Sequence, residues 1–250
     1  SLRGLHAGNA QSRWSTTPLD RCRDFDRLVL AGGAALAELP GVPPWKRGAQ
    51  RLGADAFGAA EAALGAISER ATQGLPAARQ PAHPAGSWRV ADVGQTAVKI
   101  AGENGERWHI PRDVEALPIR QIGTEDQTMD GRTLDVAQQR QALRGFLTQA
   151  LRHALTEPAP HQLLLALPCE LDDALCPGGS SYIGMGGDLG LVCDVLQGFA
   201  DRRVETYVLN DAELAALGAL PTIGATEKAL VVTLGFAAGG ALVQPLAPTP

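Results

Sequence analysis

The chain has 250 residues, a formal net charge of −5, 45% hydrophobic residues and only 4% aromatic residues. This length suffices for one large domain or for two modest lobes around a sizeable core. The acidic balance, without a basic run, argues against binding to a nucleic-acid backbone. No apolar run approaches a membrane span, and no charged-then-apolar leader opens the chain. The four cysteines lack C-x-x-C spacing and the five histidines are scattered, which favours a cytoplasmic protein with free thiols.

The first part of the chain contains one predicted strand and two predicted helices. Residues 1–24 are polar and irregular, and we expect them to be loosely held. Residues 25–30 (FDRLVL) form an apolar run that ends in glycines, which predicts a buried strand followed by a helix over 34–39. Residues 55–70 are rich in alanine and predict a second helix, with Asp55 as its cap.

A linker and two hairpins follow. Residues 71–87 are rich in Pro, Ala, Gly and Ser, which predicts a linker that would span about 24 Å as a coil. Strands are predicted over 88–93, 97–101 and 107–110. Asn104-Gly105 predicts the turn between the last two strands, because both residues tolerate a positive φ.

The remainder alternates helices with strands, which is a mixed α/β pattern. The predicted helices cover 136–155, 189–199 and 212–220. The predicted strands cover 163–167, 206–209, 230–234 and 241–243.

The turn after the first hairpin strand is the first candidate site. Asp92 ends a strand, and backbone N–H groups of Gly94, Gln95 and Thr96 can point at an anion while Asp92 holds a hydrated divalent cation. Lys99 adds a positive charge. The same pattern also occurs as an ordinary turn, so this motif is weak evidence when taken alone.

Three further segments each allow a structural and a functional interpretation. Asn210-Asp211 can cap the helix that follows, or it can supply a general base. Residues 233–240 are a glycine-rich hairpin or a loop whose amides approach phosphate. Residues 30–34 form either a tight connection between a strand and a helix or part of a nucleotide-binding site, although they lack the full G-x-G-x-x-G pattern.

Together the four segments resemble the sugar kinase/actin/hexokinase superfamily and, within it, the ROK family of bacterial sugar kinases and repressors. Residues 92–99 resemble the first phosphate loop of that family, and YVLNDAELAALGAL (207–220) resembles its Asn-Asp-Ala segment. LLLALPCELDD (163–173) resembles a strand that ends in Pro-Gly, with Cys169 in place of the glycine. LVVTLGFAAGGALV (230–243) resembles the second phosphate loop, and 27–39 with 51–67 resembles the adenosine-binding segment.

The order of these segments is unusual. In the family the adenosine segment comes last, whereas here it comes first, so the chain resembles a circular permutant joined by the linker. The resemblance implies an α/β, two-lobed ribonuclease H-like (actin/hexokinase-type) fold with mixed sheets. Residues 88–212 would form the first lobe, residues 1–70 with 213–250 the second, and 71–87 the linker.

The resemblance implies an ATP-dependent kinase for a small, sugar-like molecule, with ATP and Mg as cofactors. Asp211 would be the catalytic base, and Asn210 would help to position the acceptor. Asp92 would orient Mg through water. The other nucleotide contacts implied are Gly94, Gln95, Thr96, Lys99, Gly235, Gly239, Gly240, Gly32, Gly33 and Ala34. Asp188, in the glycine-rich segment 176–190, would be a substrate contact, unless that segment is a mobile surface loop.

Departures from the family pattern favour a second hypothesis. Phe236, Ala237 and Ala238 stand where the second loop usually has Thr or Ser and more Gly, and the sugar-contacting and zinc-binding motifs are missing. A non-catalytic nucleotide-binding or regulatory/assembly protein with the same fold is therefore the alternative, and an unrelated α/β binding protein is a third. We expect a small-molecule acceptor as partner, neither nucleic acid nor membrane, and leave a homodimer open.

Overall fold

The computed structural model describes residues 2–4, 14–16, 25–32, 49–53, 55–72, 87–119, 133, 135–171, 177–180, 182, 185, 189–202, 204–234 and 238–244. These residues form a mixed α/β structure with two mixed sheets. The helices are α1 (Gly58–Thr72), α2 (Val136–Ala154), α3 (Leu189–Gln197) and α4 (Asp211–Ala219), with short 3₁₀ helices at Ala200–Arg202 and Leu220–Thr222. Within the described ranges, no helix is long and apolar enough to cross a membrane.

The strands are numbered along the chain. They are β1 (Leu2–Gly4), β2 (Trp14–Thr16), β3 (Arg27–Ala31), β4 (Gln50–Arg51), β5 (Trp88–Val93), β6 (Ala97–Gly102), β7 (Arg107–Pro111), β8 (Gln162–Leu167), β9 (Cys169–Leu171), β10 (Pro177–Ser180), β11 (Glu205–Asn210), β12 (Ala229–Leu234) and β13 (Ala238–Val243). A small antiparallel pair joins β9 and β10.

The first sheet has six strands in the order β1-β11-β8-β5-β6-β7. The strands β1, β11, β8 and β5 are parallel, whereas β5, β6 and β7 form two antiparallel hairpins. The central strand β8 is apolar at every position after Gln162, because α2 and α3 cover one face of the sheet and α1 and α4 cover the other.

The second sheet has five strands in the order β2-β13-β12-β3-β4. The strand β12 is antiparallel to β13 and parallel to β3, so the strand from the front of the chain lies beside the strand that ends at Leu234. One face of this sheet packs on α1 and α4. A smaller apolar cluster covers the other face: Leu28, Leu30, Leu230, Val232 and Leu242.

Helix α4 lies between the two sheets. Seven of its nine residues are Ala, Leu or Gly, and from Ala212 onward every residue of α4 is buried, because α1 and both sheets surround it. A Cβ at Gly218 would lie only 2.8 Å from Cβ of Ala62, so glycine permits the close approach of α4 to α1. The element that carries Asn210 and Asp211 is therefore held rigidly.

Two sequence expectations differ from the structure. Residues 1–24 contain β1, which pairs with β11, and β2, which pairs with β13, so the prediction of an irregular segment is wrong there. Three-residue strands are too short to produce a periodic signal. In segment 176–190, β10 pairs with β9, and Tyr182 and Met185 are buried, so these residues do not form a mobile surface loop. The predicted helix over 34–39 lies outside the described residues.

Candidate active site

The two candidate carboxylates lie at the same edge of the first sheet. Asp92 at the end of β5 and Leu209 near the end of β11 both pair with Ala166 of β8. Since all three strands are parallel, their carboxyl ends meet at this edge, and two strand spacings of about 4.8 Å separate Asp92 from the start of α4. The topology therefore brings residues 92 and 211 together although they are far apart in sequence.

The turn between β5 and β6 is held from one side by Arg112 and Tyr182. The Tyr182 hydroxyl donates to the carbonyl of Gly94 at 2.8 Å. The carbonyls of Gln95 and Thr96 accept from the Arg112 guanidinium at 3.1 Å and from the Arg112 backbone N–H at 2.8 Å. Arg112 is buried, and its guanidinium lies 4.0 Å from the centre of the Tyr182 ring. These contacts give the turn one defined orientation.

This orientation decides which amides can meet an anion. The N–H of Gly94 donates to the carbonyls of Asp92 and Ala97, so the expectation that it faces an anion is wrong. In a trans peptide the carbonyl and the next N–H point in opposite directions. The N–H groups of Gln95 and Thr96 therefore point away from Tyr182 and Arg112, and neither donates to an acceptor in the described part of the chain.

Asp92 and Lys99 form an ion pair across the same hairpin. Their residues are directly opposite in the β5–β6 register, and Nζ of Lys99 lies 3.6 Å from Oδ2 of Asp92. Burial raises the pKa of Asp92 above its ordinary value, although the charge of Lys99 opposes this rise. A buried carboxylate with one ammonium partner can hold a further cation at this edge.

Asn210 caps α4. Its side-chain oxygen accepts from the N–H of Ala212 at 2.8 Å, and the Glu213 carboxylate accepts from the N–H of Asn210 at 2.9 Å, which forms a capping box. The Asn210 amide also donates to the carbonyl of Cys169 at 2.6 Å and so ties α4 to the segment after β8. The capping role that the sequence left open between residues 210 and 211 thus belongs to Asn210.

Asp211 is not needed as the cap, and the pKa of its carboxyl group is strongly raised. Desolvation in its partly buried position and the nearby charge of Asp92 raise the pKa of Asp211 to about 7, while Lys99 and hydrogen bonds act in the opposite direction. A carboxylate at a helix N-terminus ordinarily stabilises the fold in its ionised form. A raised pKa at such a position is typical of functional sites.

The second sheet reaches Asp211 through its β12–β13 hairpin. Gly239 pairs with Thr233, and a Cβ at Gly239 would lie 2.5 Å from Oγ1 of Thr233 and 3.4 Å from Oδ1 of Asp211. Gly239 is therefore required because other side chains already occupy this space. Gly240 is the next residue of β13 and pairs with Val232.

Gly32 lies at the equivalent edge of the second sheet. It adopts a φ of +92°, and a Cβ there would lie 2.5 Å from the carbonyl oxygen of Leu234. Any other residue would be strained in conformation and would clash with β12. The glycine thus allows the end of β3 to pack closely against the end of β12.

The structure brings part of the predicted site together. Asp92, Lys99, Asn210, Asp211 and Gly239 converge between the two sheets. The predicted residues Asp188, Gly235, Gly33 and Ala34 lie outside the described residues. Sequence reasoning assigned no role to Arg112, Tyr182 or Thr233, although Tyr182 lies in the segment 176–190 and Thr233 begins the segment 233–240. Each acts through a contact with a residue that is not its sequence neighbour.

The chemistry of Asp92 suits a ligand of a hydrated magnesium ion. Among the described residues, no group of three or more His, Cys, Asp or Glu side chains forms a metal site of its own. Mg²⁺ in nucleotide sites commonly uses one or two carboxylates, with waters and phosphate oxygens completing its coordination. Both carboxyl pKa values are raised here, so a cation near Asp92 would favour the ionised forms.

Comparisons with known proteins add one structural neighbour. No protein-family model matches the chain, and no curated protein matches it. Solved structures do match, among them the crystal structure of a "putative sugar kinase" from Cytophaga hutchinsonii ATCC 33406, at 18% sequence identity and a TM-score of 0.38. The match covers 66% of this chain and 50% of that chain, so this chain spans about half the length of its solved neighbour.

Proposed function

We propose that the chain is an ATP-dependent kinase that transfers the γ-phosphoryl group to a hydroxyl of a small, sugar-like molecule. The proposal includes a two-lobed actin/hexokinase-type fold of the ROK type with a circularly permuted order. Support for this order comes from β3, which precedes β5 in sequence yet lies parallel to β12 near the end of the chain.

The observation that carries the proposal is the raised pKa of Asp211 at a position beside Asp92 and Lys99. Its pKa of about 7 suits a group that must accept a proton near neutral pH. Helix capping could otherwise explain an acidic residue at this position, but Asn210 already caps α4. Asp92 and Lys99 lie close enough to affect the charge of Asp211. A general base beside a lysine and a carboxylate that could bind a cation is an arrangement suited to phosphoryl transfer.

Each residue then has a defined part in the reaction. Bound Mg-ATP supplies the transferable phosphoryl group and the cation that neutralises its charge. Asp92 would orient the hydrated cation, Lys99 would contact phosphate oxygens, and the N–H groups of Gln95 and Thr96 would donate to them. Asp211 accepts the proton of the acceptor hydroxyl as that oxygen bonds to phosphorus and the bond to the ADP oxygen breaks. Arg112 and Tyr182 keep the turn between β5 and β6 in place.

The decisive experiment is acceptor-dependent ADP release. We expect the wild-type protein with Mg-ATP to release ADP with at least one member of a panel of hexoses and polyols. Asp211→Asn should abolish this release while Mg-ATP still binds, and Asp201→Asn, at an exposed position of the 3₁₀ helix Ala200–Arg202, should leave it unchanged. Release that survives in Asp211→Asn would contradict the proposed base.

The alternative is a nucleotide-binding protein without transfer activity. The replacement of the second loop by Phe236, Ala237 and Ala238 favours it, since extra Cβ atoms restrict how closely a backbone approaches phosphate. Tight Mg-ATP binding without ADP release for any acceptor would support this alternative over the kinase.

A further inference from the structure

The hydroxyl of Thr233 is buried without a hydrogen-bond partner. Thr233 exposes 7% of its surface, and Oγ1 is the one buried side-chain polar atom in the described part of the chain that has no partner. Such a group costs free energy in a folded protein and calls for an explanation. Valine has nearly the same shape and would avoid this cost, so the hydroxyl itself needs a reason.

This hydroxyl lies next to Asp211. Thr233 pairs with Gly239 in the β12–β13 hairpin, and its Oγ1 and the Asp211 Oδ1 flank the same point, 2.5 Å and 3.4 Å from where a Cβ of Gly239 would be. The absence of a side chain at Gly239 leaves the line between the two oxygens open. The two distances place these oxygens at most about 5.9 Å apart, and both side chains can rotate about their χ angles.

The charged groups around Asp211 lie on its other side. Asp92 on β5 and Lys99 on β6 belong to the first sheet, whereas Thr233 belongs to the second. On α4 itself, Glu213 is engaged with the backbone of Asn210. The strands β12 and β13 carry no titratable residue. Thr233 is thus the residue of β12 and β13 whose side chain can donate a hydrogen bond to this carboxylate.

A bound phosphate would change the interactions of Asp211 with the charged groups of the first sheet and with Thr233. Negative charge beside Asp92 and Lys99 competes for the ammonium group and repels the Asp211 carboxylate. When Lys99 turns to phosphate, the ionised Asp211 carboxylate loses a favourable neighbour. A hydrogen bond from the unused Thr233 hydroxyl can then replace this interaction, because hydrogen bonds to charged groups are stronger than neutral ones.

We propose that Thr233 is a positioning residue for Asp211: its hydroxyl donates to the Asp211 carboxylate when Mg-ATP is bound. This bond fixes one carboxylate oxygen and leaves the other directed at the acceptor hydroxyl. The inference rests on the proposed function, because Mg-ATP is the ligand that drives the carboxylate toward the second sheet.

The test compares Thr233→Val, which removes the hydroxyl, with Thr233→Ser, which keeps it. In the ligand-free protein we expect Thr233→Val to raise Tm by about 3 °C, since an unpartnered buried hydroxyl is removed. In calorimetry, the valine variant should bind Mg-ATP about tenfold more weakly than wild type, and the serine variant within about twofold. An ordinary structural hydroxyl would produce the opposite sign of the Tm change.

The outcomes separate this inference from the proposed function. Wild-type protein that does not bind Mg-ATP would refute the proposed function and this inference with it. Wild-type binding with unchanged affinity in Thr233→Val, or a lower Tm of the ligand-free valine variant, would overturn the inference alone.

Discussion

Replacing Asp211 with asparagine should stabilise the protein, and the gain should depend on pH. In the unfolded chain this carboxyl has a pKa near 3.8, whereas burial and the neighbouring Asp92 raise it to about 7 in the folded protein. Folding therefore opposes ionisation of this group. A difference of about three pKa units corresponds to roughly 4 kcal/mol at pH values above both pKa values, which is an upper limit because the side chain is only partly buried.

The sign follows from the two protonation states. Below pH 3.8 the group is protonated in both the folded and the unfolded protein, so the charge has no effect. Between pH 4 and 7 the unfolded chain ionises first, and the penalty of folding grows. Above pH 7 the penalty is constant. Asp211→Asn removes the charge, so its gain in unfolding free energy should increase from pH 5 to pH 7 and then level at about 2–4 kcal/mol.

Urea denaturation at pH 5, 6, 7 and 8 measures this gain directly. Asp201→Asn is the matched control, since Asp201 is exposed. A lower unfolding free energy for Asp211→Asn at pH 8, or a gain that does not vary with pH, would refute the reasoning. The first result would mean that the charge of Asp211 stabilises the N-terminus of α4 as an ordinary helix-terminal carboxylate does, and the second would mean that folding does not raise the pKa of Asp211.

Three further substitutions test the surroundings of the site. Lys99→Met removes the ammonium that pairs with Asp92, and calorimetry should show at least about tenfold weaker Mg-ATP binding; unchanged affinity would exclude a phosphate contact for Lys99. Tyr182→Phe keeps the ring but removes the donor to the Gly94 carbonyl, so urea denaturation should show a loss of about 1 kcal/mol, and no loss would contradict that bond. Gly239→Ala should lower the unfolding free energy by about 1–3 kcal/mol through overpacking, whereas Gly145→Ala on α2, where a Cβ has open space, should raise it by about 0.5–1 kcal/mol; equal effects would contradict the close packing at Gly239.

Strand positions could largely be predicted from the sequence. The strands predicted at 88–93, 163–167 and 230–234 each correspond to an observed strand within one residue at either end. These strands are buried on their core faces and bounded by turn residues, so the local pattern is strong. The turn at Asn104-Gly105 is also confirmed, with a φ of +79° at Gly105.

The convergence of the two carboxylates could be predicted only through topology. Asp92 and Asp211 each follow a buried strand, and neither residue carries a signal that distinguishes it from a turn or a cap. Once β5, β8 and β11 are parallel neighbours, their carboxyl ends share an edge and the two side chains come together. That pairing depends on contacts between strands far apart in the sequence.

The supporting contacts could not be predicted. Tyr182 lies 88 residues from the Gly94 carbonyl to which it donates, and Arg112 follows β7 without a motif. Thr233 lies among apolar residues in β12 and resembles any β-branched strand residue. Its missing partner is a property of the packed structure.

Magnesium-dependent ATP binding, measured by calorimetry on the wild-type chain and on Asp92→Asn, tests the central claim most directly. If Asp92 and Asp211 form one nucleotide site, the wild type binds one equivalent of ATP only with magnesium present, Asp211→Asn keeps this binding, and Asp92→Asn loses it. The absence of binding by the wild type, or undiminished binding by Asp92→Asn, would contradict the account.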